Sequence, residues 1–218
     1  MPSTSQSVPL AKIFNLPNQL TSLRLVLAVI LFGLIIFEHY LSSMVLFILA
    51  AGTDWFDGYL ARKYGQVTTL GRILDPFADK VIVCGTFIFL LAVPGMTRLL
   101  PAWMVVVIVG RELLVTALRS FIEEQGADFS AKMSGKLKMV LQCVAAGACL
   151  FYLHYPRPDR PDWVSWVYQH YPRPDAPQWV CWVMVLSIWS AVLLTIYSGV
   201  MYVFMAARLL QQERRKSA

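Results

Sequence analysis

The sequence predicts an all-α integral membrane protein of six transmembrane helices. Three observations lead there. Hydrophobic residues make up 57% of the 218 positions and charged residues only 15%, well under the roughly 25% charge of a soluble domain. Apolar stretches long enough to approach the ~20 residues of a membrane-crossing helix recur along the chain. Lysine and arginine lie beside these stretches, with fifteen of the nineteen assigned to one side. A chain so poor in polar groups cannot cover its own apolar surface, so a bilayer is its expected solvent.

The six segments are roughly 20–39, 41–62, 72–94, 100–122, 137–153 and 179–207. The first contains an apolar run from Leu25 to Phe37, and the second is free of polar groups only from Met44 to Gly52. The third starts polar and is uncharged and, but for Thr86, apolar from Val81 to Val93, where Pro94 and Pro101 bracket a short connection to the fourth. The last runs from Trp179 to Ala207 without a charge, about 43 Å as a helix, which implies tilt or projection beyond the bilayer. Residues 1–19 form an N-terminal segment, 20–208 the membrane domain and 209–218 a basic tail.

The distribution of charge sets the orientation. With the N-terminus inside, the cytoplasmic side holds Lys12, Arg24, Arg62, Lys63, Arg72, Lys80, Arg111, Arg119, Lys132, Lys136, Lys138, Arg208, Arg214, Arg215 and Lys216, and the outer side only Arg98, Arg157, Arg160 and Arg173. This positive-inside bias predicts two cytoplasmic termini. It also accounts for the net charge of +6 as flanks facing anionic lipid; no nucleic-acid recognition module is visible. The start of the chain has neither a secretory nor a transit character, so the expected address is a bacterial cytoplasmic membrane, with the mitochondrial inner membrane second. Cys84, Cys143, Cys149 and Cys181 lie inside apolar segments without CxxC spacing and read as packing residues. His39, His154 and His170 fall on the outer side and read as interfacial.

One repeat stands out: His154–Val167 (HYPRPDRPDWVSWV) returns as His170–Val183 (HYPRPDAPQWVCWV). Proline at this density resists helix, so residues 154–178 are expected to form an outer loop. Trp163, Trp166, Tyr171 and Trp179 would supply an aromatic belt at headgroup level.

The chemistry is carried by Asp54-Trp-Phe-Asp57-Gly58-Tyr-Leu-Ala61-Arg62 and Gly71-Arg-Ile-Leu-Asp75-Pro-Phe-Ala-Asp79. On helices Asp54 and Asp57 are i,i+3 and Asp75 and Asp79 are i,i+4, so each pair shares a face. The link from Lys63 to Gly71 would let the two helices pack antiparallel, bringing four carboxylates into a polar cavity at the cytoplasmic side. Ionisable groups at membrane depth are functional candidates by default, and four like charges need cations between them. An all-oxygen donor set without His or Cys suits Mg²⁺ or Mn²⁺ rather than zinc. Because Mg²⁺ commonly shares carboxylates with substrate phosphates, the predicted metal-containing cavity points to phosphate chemistry. Gly58 and Ala61 leave room for a ligand along the helix, although small residues also serve helix packing.

These two stretches fill every fixed position of D-x-x-D-G-x-x-A-R…G-x-x-x-D-x-x-x-D, and the chain thereby resembles the CDP-alcohol phosphotransferase family. Within it, the resemblance is strongest to members that use glycerol 3-phosphate. It extends over Asn15–Arg24, Asp54–Lys80, Arg111–Arg119 and Gly135–Lys138, with Met139 where Thr is expected. The resemblance implies that Asp54, Asp57, Asp75 and Asp79 hold two metal ions on the pyrophosphate of CDP-diacylglycerol. It implies that Asp79 is also the general base and that Gly58, Ala61, Arg62 and Gly71, with Asp54, bind the CDP-lipid. It further implies a homodimer among membrane lipids.

An acceptor such as glycerol 3-phosphate carries a dianion that needs cations of its own. Arg111, Arg119, Lys136 and Lys138 are the candidates, with Arg24 more remote. Arg111 and Arg119 lie eight residues apart, close to two helical turns. Their simpler reading is as positive-inside anchors, which holds least for Arg111, deep in its segment. Glu112, beside it, could orient another basic residue. Two further readings stay open: the same transfer to inositol phosphate, serine or phosphatidylglycerol, and a divalent-cation transporter. The transporter would call for repeated broken helices and carboxylates near the midplane, neither of which is visible.

Overall fold

The computed structural model describes residues 16–64, 69–124, 133–155 and 176–217. Every regular element among the described residues is a helix: α1 (Leu16–Ile36), α2 (Tyr40–Tyr64), α3 (Thr69–Ala92), a short 3₁₀ turn (Met96–Arg98), α4 (Ala102–Glu124), α5 (Met133–His154) and α6 (Gln178–Ser217). Each of the six apolar segments thus carries a helix. The differences are at the ends. The second and third helices run on to Tyr64 and from Thr69, so the link between them is shorter than the nine residues read from sequence. The basic tail continues α6. Most of the Pro-rich stretch, with Trp163, Trp166 and Tyr171, lies outside the described residues.

Helix ends follow local chemistry. α1 closes with His39 N–H donating to the Leu34 carbonyl and Glu38 N–H to that of Ile35, the paired bonds of a Schellman motif. Glu38 holds the left-handed position of this motif at φ 61°, where glycine is the usual occupant. Gly95, at φ 80°, opens the 3₁₀ turn after Pro94. Pro101 and Pro177 each offer a carbonyl to the first helical N–H groups of α4 and α6, at 2.9 Å to Met104 and to Val180.

The helices group into two compact units, residues 1–86 and 87–218. In the first, α1 packs on α2. The stripe Arg24, Ala28, Leu31, Ile35 of α1 and the stripe Tyr40, Ser43, Phe47, Ala50 of α2 are buried, the helical period expected of inward faces. From α3, Ala78, Ile82 and Val83 are buried, and the Phe32 ring of α1 occupies the space a side chain at Gly85 would need. In the second unit α6 packs on both α5 and α4, burying Met104, Val105 and Ile108 against Ala145, Ala146, Cys149, Leu150, Met184, Ile188, Ala191 and Val192. Small residues on these faces let backbones approach closely.

Large apolar side chains among the described residues face outward. Val29, Phe37, Val106, Leu113, Leu186, Leu193 and Phe204 are all exposed, a surface that water would not tolerate and a bilayer would. Among the described residues two stretches are long and apolar enough to cross a membrane, Leu137–His154 and Gln178–Arg208; Ser22–Ile36, Tyr40–Gly52 and Lys80–Ala92 are shorter apolar helices. Hydroxyls within the helices bond to the preceding turn: Ser43 to His39, Thr86 to Ile82, Thr116 to Glu112 and Ser190 to Leu186, at 2.6–2.9 Å. Such back-bonding leaves no hydroxyl of this set seeking water.

Candidate active site

Two helices in succession carry the carboxylates. α2 places Asp54 and Asp57 one turn apart near its C-terminal end, followed by Gly58, Ala61 and Arg62. α3 carries Gly71, Asp75 and Asp79 in its first half. Both stretches are helical despite polar content, and α3 stays helical through Pro76. That proline has no N–H to give the Arg72 carbonyl, so one backbone acceptor between Gly71 and Asp75 is released from the helix ladder. The side chains of Asp54, Asp57, Gly58, Ala61, Arg62, Gly71, Asp75 and Asp79 lie outside the described residues, as does that of Lys136.

The second unit holds a buried polar cluster at one end of its core. The inward stripe of α4 changes from Met104, Val105 and Ile108 to Arg111 and Glu112; that of α5 begins with Lys138 and Gln142; that of α6 turns to Thr195 and Ser198 after Val192. Successive helical residues point about 100° apart, so Arg111 and Glu112 face different neighbours. Arg111 faces α6. Its guanidinium donates to the Ser198 hydroxyl and stands 5.4 Å over the Tyr202 ring, within cation–π range. A side chain at Gly199 would meet its Cγ at 3.1 Å. Tyr202 is itself packed with Ala206, Val115 and Leu118.

Glu112 faces α5. Its Oε1 accepts from the Lys138 ammonium and, in two long and weak contacts, from Gln142 at 3.5 Å and Arg111 at 3.4 Å. Gln142 continues to Thr195 Oγ1 at 3.2 Å. One carboxylate oxygen therefore ties α4 to α5, and Gln142 carries the tie on to α6. All six polar residues of this cluster are at least nine-tenths buried. Buried charge is tolerated only when paired and hydrogen-bonded, which Glu112 and Lys138 satisfy mutually. The Arg111 Nε is buried without a hydrogen-bond acceptor.

Of the acceptor candidates, the structure brings Arg111 and Lys138 together around Glu112. Arg119 is half-buried two turns further along α4. Gln142, Thr195 and Ser198 were not singled out by sequence. Their signal was weak but present: Gln142 is i,i+4 from Lys138, and Thr195 and Ser198 are i,i+3 within an otherwise apolar stretch, so each set shares a face.

Comparison with known proteins identifies the family. Residues 14–197 match the family described as CDP-alcohol phosphatidyltransferase. The chain belongs to that family, which is membrane-bound and generally dependent on a divalent metal. It is similar to the CDP-diacylglycerol–glycerol-3-phosphate 3-phosphatidyltransferase of Bacillus subtilis, at 36% identity over 173 residues covering 70% of this chain and 88% of that protein. A Mycobacterium tuberculosis protein named "Probable phosphatidylglycerophosphate synthase" is 38% identical over 214 residues, covering 95% of this chain and 88% of its own length. The Escherichia coli K12 3-phosphatidyltransferase of the same name as the Bacillus protein is 37% identical over 141 residues, 61% of this chain and 74% of that protein.

Proposed function

We propose that this chain transfers the phosphatidyl group of CDP-diacylglycerol to glycerol 3-phosphate, releasing CMP and forming phosphatidylglycerophosphate, a step toward anionic phospholipid. The observation that carries this reading is the complete set of fixed residues from Asp54 to Asp79 on two consecutive helices, in a chain similar along most of its length to proteins named for that reaction.

The four carboxylates Asp54, Asp57, Asp75 and Asp79 form an all-oxygen donor set that fits Mg²⁺ or Mn²⁺, and two such ions would offset charge on the attacking and leaving oxygens. The chain's own residues do the rest. Gly58, Ala61, Arg62 and Gly71 admit and hold the cytidine diphosphate. Asp79 accepts the proton of the acceptor hydroxyl as its oxygen bonds to the lipid-side phosphorus and the bond to CMP breaks. Arg111, Arg119, Lys136 and Lys138 hold the far phosphate of the acceptor; an arginine can do so with two parallel N–H groups. Three donors on an ammonium make the Lys138–Glu112 pair compatible with a phosphate contact, and the orphaned Arg111 Nε supports that placement.

In this reading all six helices cross a bacterial cytoplasmic membrane, both termini and the metal cavity face the cytoplasm, and the protein works as a homodimer. Purified protein given CDP-diacylglycerol, Mg²⁺ or Mn²⁺ and a panel of alcohols tests the assignment through CMP release. Release with glycerol 3-phosphate is expected. No metal-dependent release with any acceptor would sink the reaction, and release with another alcohol alone would sink the acceptor.

A further inference from the structure

We infer that Glu112 is a positioning residue for the acceptor: through one carboxylate oxygen it sets where Lys138 and Arg111 stand, without itself touching substrate. The inference rests on the proposed function, which places those two cations on the acceptor phosphate.

Three observations carry it. Glu112 Oε1 is the shared acceptor of Lys138, Gln142 and Arg111, side chains from two different helices. Gln142 and Arg111 are each held a second time on α6, by Thr195 and by Ser198, so the carboxylate joins two arms that both end on one face of that helix. Both cations are buried, where a long side chain without such a tie would lose reach and direction. A carboxylate at this place also opposes anion binding by its own charge. Its presence among the acceptor cations is therefore explained by geometry rather than by affinity: it holds Lys138 and Arg111 in register on one oxygen before the acceptor arrives, so less ordering is left to binding.

The test separates aim from fold. Glu112→Asp keeps the charge, and with it the partner of Lys138, but withdraws the carboxylate by one methylene; Glu112→Gln keeps the length and removes the charge. Steady-state CMP release would be followed with either substrate varied, and thermal unfolding in detergent recorded for each variant with and without glycerol 3-phosphate. The expected result is a rise of about tenfold or more in KM for glycerol 3-phosphate, the scale of one lost charge-assisted hydrogen bond. KM for CDP-diacylglycerol should be unchanged, and the thermal shift given by glycerol 3-phosphate should shrink. If Glu112→Gln does not fold, Glu112→Asp carries the test alone. Unchanged KM for the acceptor in the folded variants, or a fall in kcat with neither KM moved selectively, overturns the inference while leaving the proposed reaction intact. Absence of CMP release by the unaltered protein overturns both.

Discussion

At the scale of single residues, the proposed reaction divides labour between aspartates and cations. Asp79→Asn keeps the size and polarity of the side chain and removes its basicity. CMP release should fall by about 10²–10⁴-fold, the usual worth of a positioned general base, while equilibrium binding of CDP-diacylglycerol is largely kept. Binding lost in step with turnover would mean that Asp79 serves chiefly as a metal ligand. Arg111 makes a second case. Stacked on Tyr202, bonded to Ser198 and with its stem against Gly199, it has little freedom to move. Arg111→Lys retains the charge but loses the planar fork, and KM for glycerol 3-phosphate should rise about tenfold with little change in that for the CDP-lipid. Gly199→Ala should act in the same direction by pushing on the Arg111 Cγ from 3.1 Å; acceptor KM measured on the two single variants and their combination would show less-than-additive effects. Arg111 stood out in the sequence because a charge deep in an apolar segment is costly and conspicuous, and Lys138 because it falls in Gly135–Lys138, a segment shared with the family the chain resembles. Their common partner did not, because Glu112 and Lys138 are 26 residues apart and nothing in either neighbourhood names the other.

At the scale of elements, six helices could be read from apolar runs and proline punctuation, since hydrogen bonding within each helix is the simplest way to satisfy its backbone in lipid. The ends were less legible. α1 stops at a Schellman turn whose left-handed position is Glu38 rather than glycine. A left-handed conformation costs an ordinary residue about 1–2 kcal/mol. Glu38→Gly should therefore be neutral or stabilising, whereas the β-branched Glu38→Val should lower the melting temperature in detergent. A second contact tests the packing of α3. Because the Phe32 ring fills the space beside Gly85, Gly85→Ala should destabilise by about 1–3 kcal/mol, as overpacking does. Phe32→Leu in the same chain should recover part of that loss; full additivity of the two changes would argue against their contact.

At the scale of the whole molecule, the two stretches among the described residues that are long and apolar enough to cross a membrane lie in α5 and α6, and α1, α2 and α3 carry shorter apolar stretches. The proposed six-span topology predicts that reporters fused to either terminus are active only in the cytoplasm, and that cysteines introduced in residues 154–178 are labelled by an impermeant reagent from outside. An odd number of crossings would place the termini on opposite sides. Chelation offers a further check on the proposed cavity: CMP release should vanish with a strong chelator and return with Mg²⁺ or Mn²⁺, but not with Ca²⁺, whose longer and looser coordination fits a phosphoryl-transfer site poorly.

The sequence by itself determined the all-helical class and the reaction family. Both are written in local patterns: apolar runs of helical length, and aspartates spaced by one turn on neighbouring segments, which a helix converts into shared faces whatever surrounds it. Only the tertiary structure decided which polar residues meet. The Glu112 junction, the seat of Arg111 between Ser198 and Tyr202, and the tie from Gln142 to Thr195 depend on how α4, α5 and α6 rotate about their axes. That rotation is set by the fit of small and large side chains across faces far apart in the chain, which no single segment records.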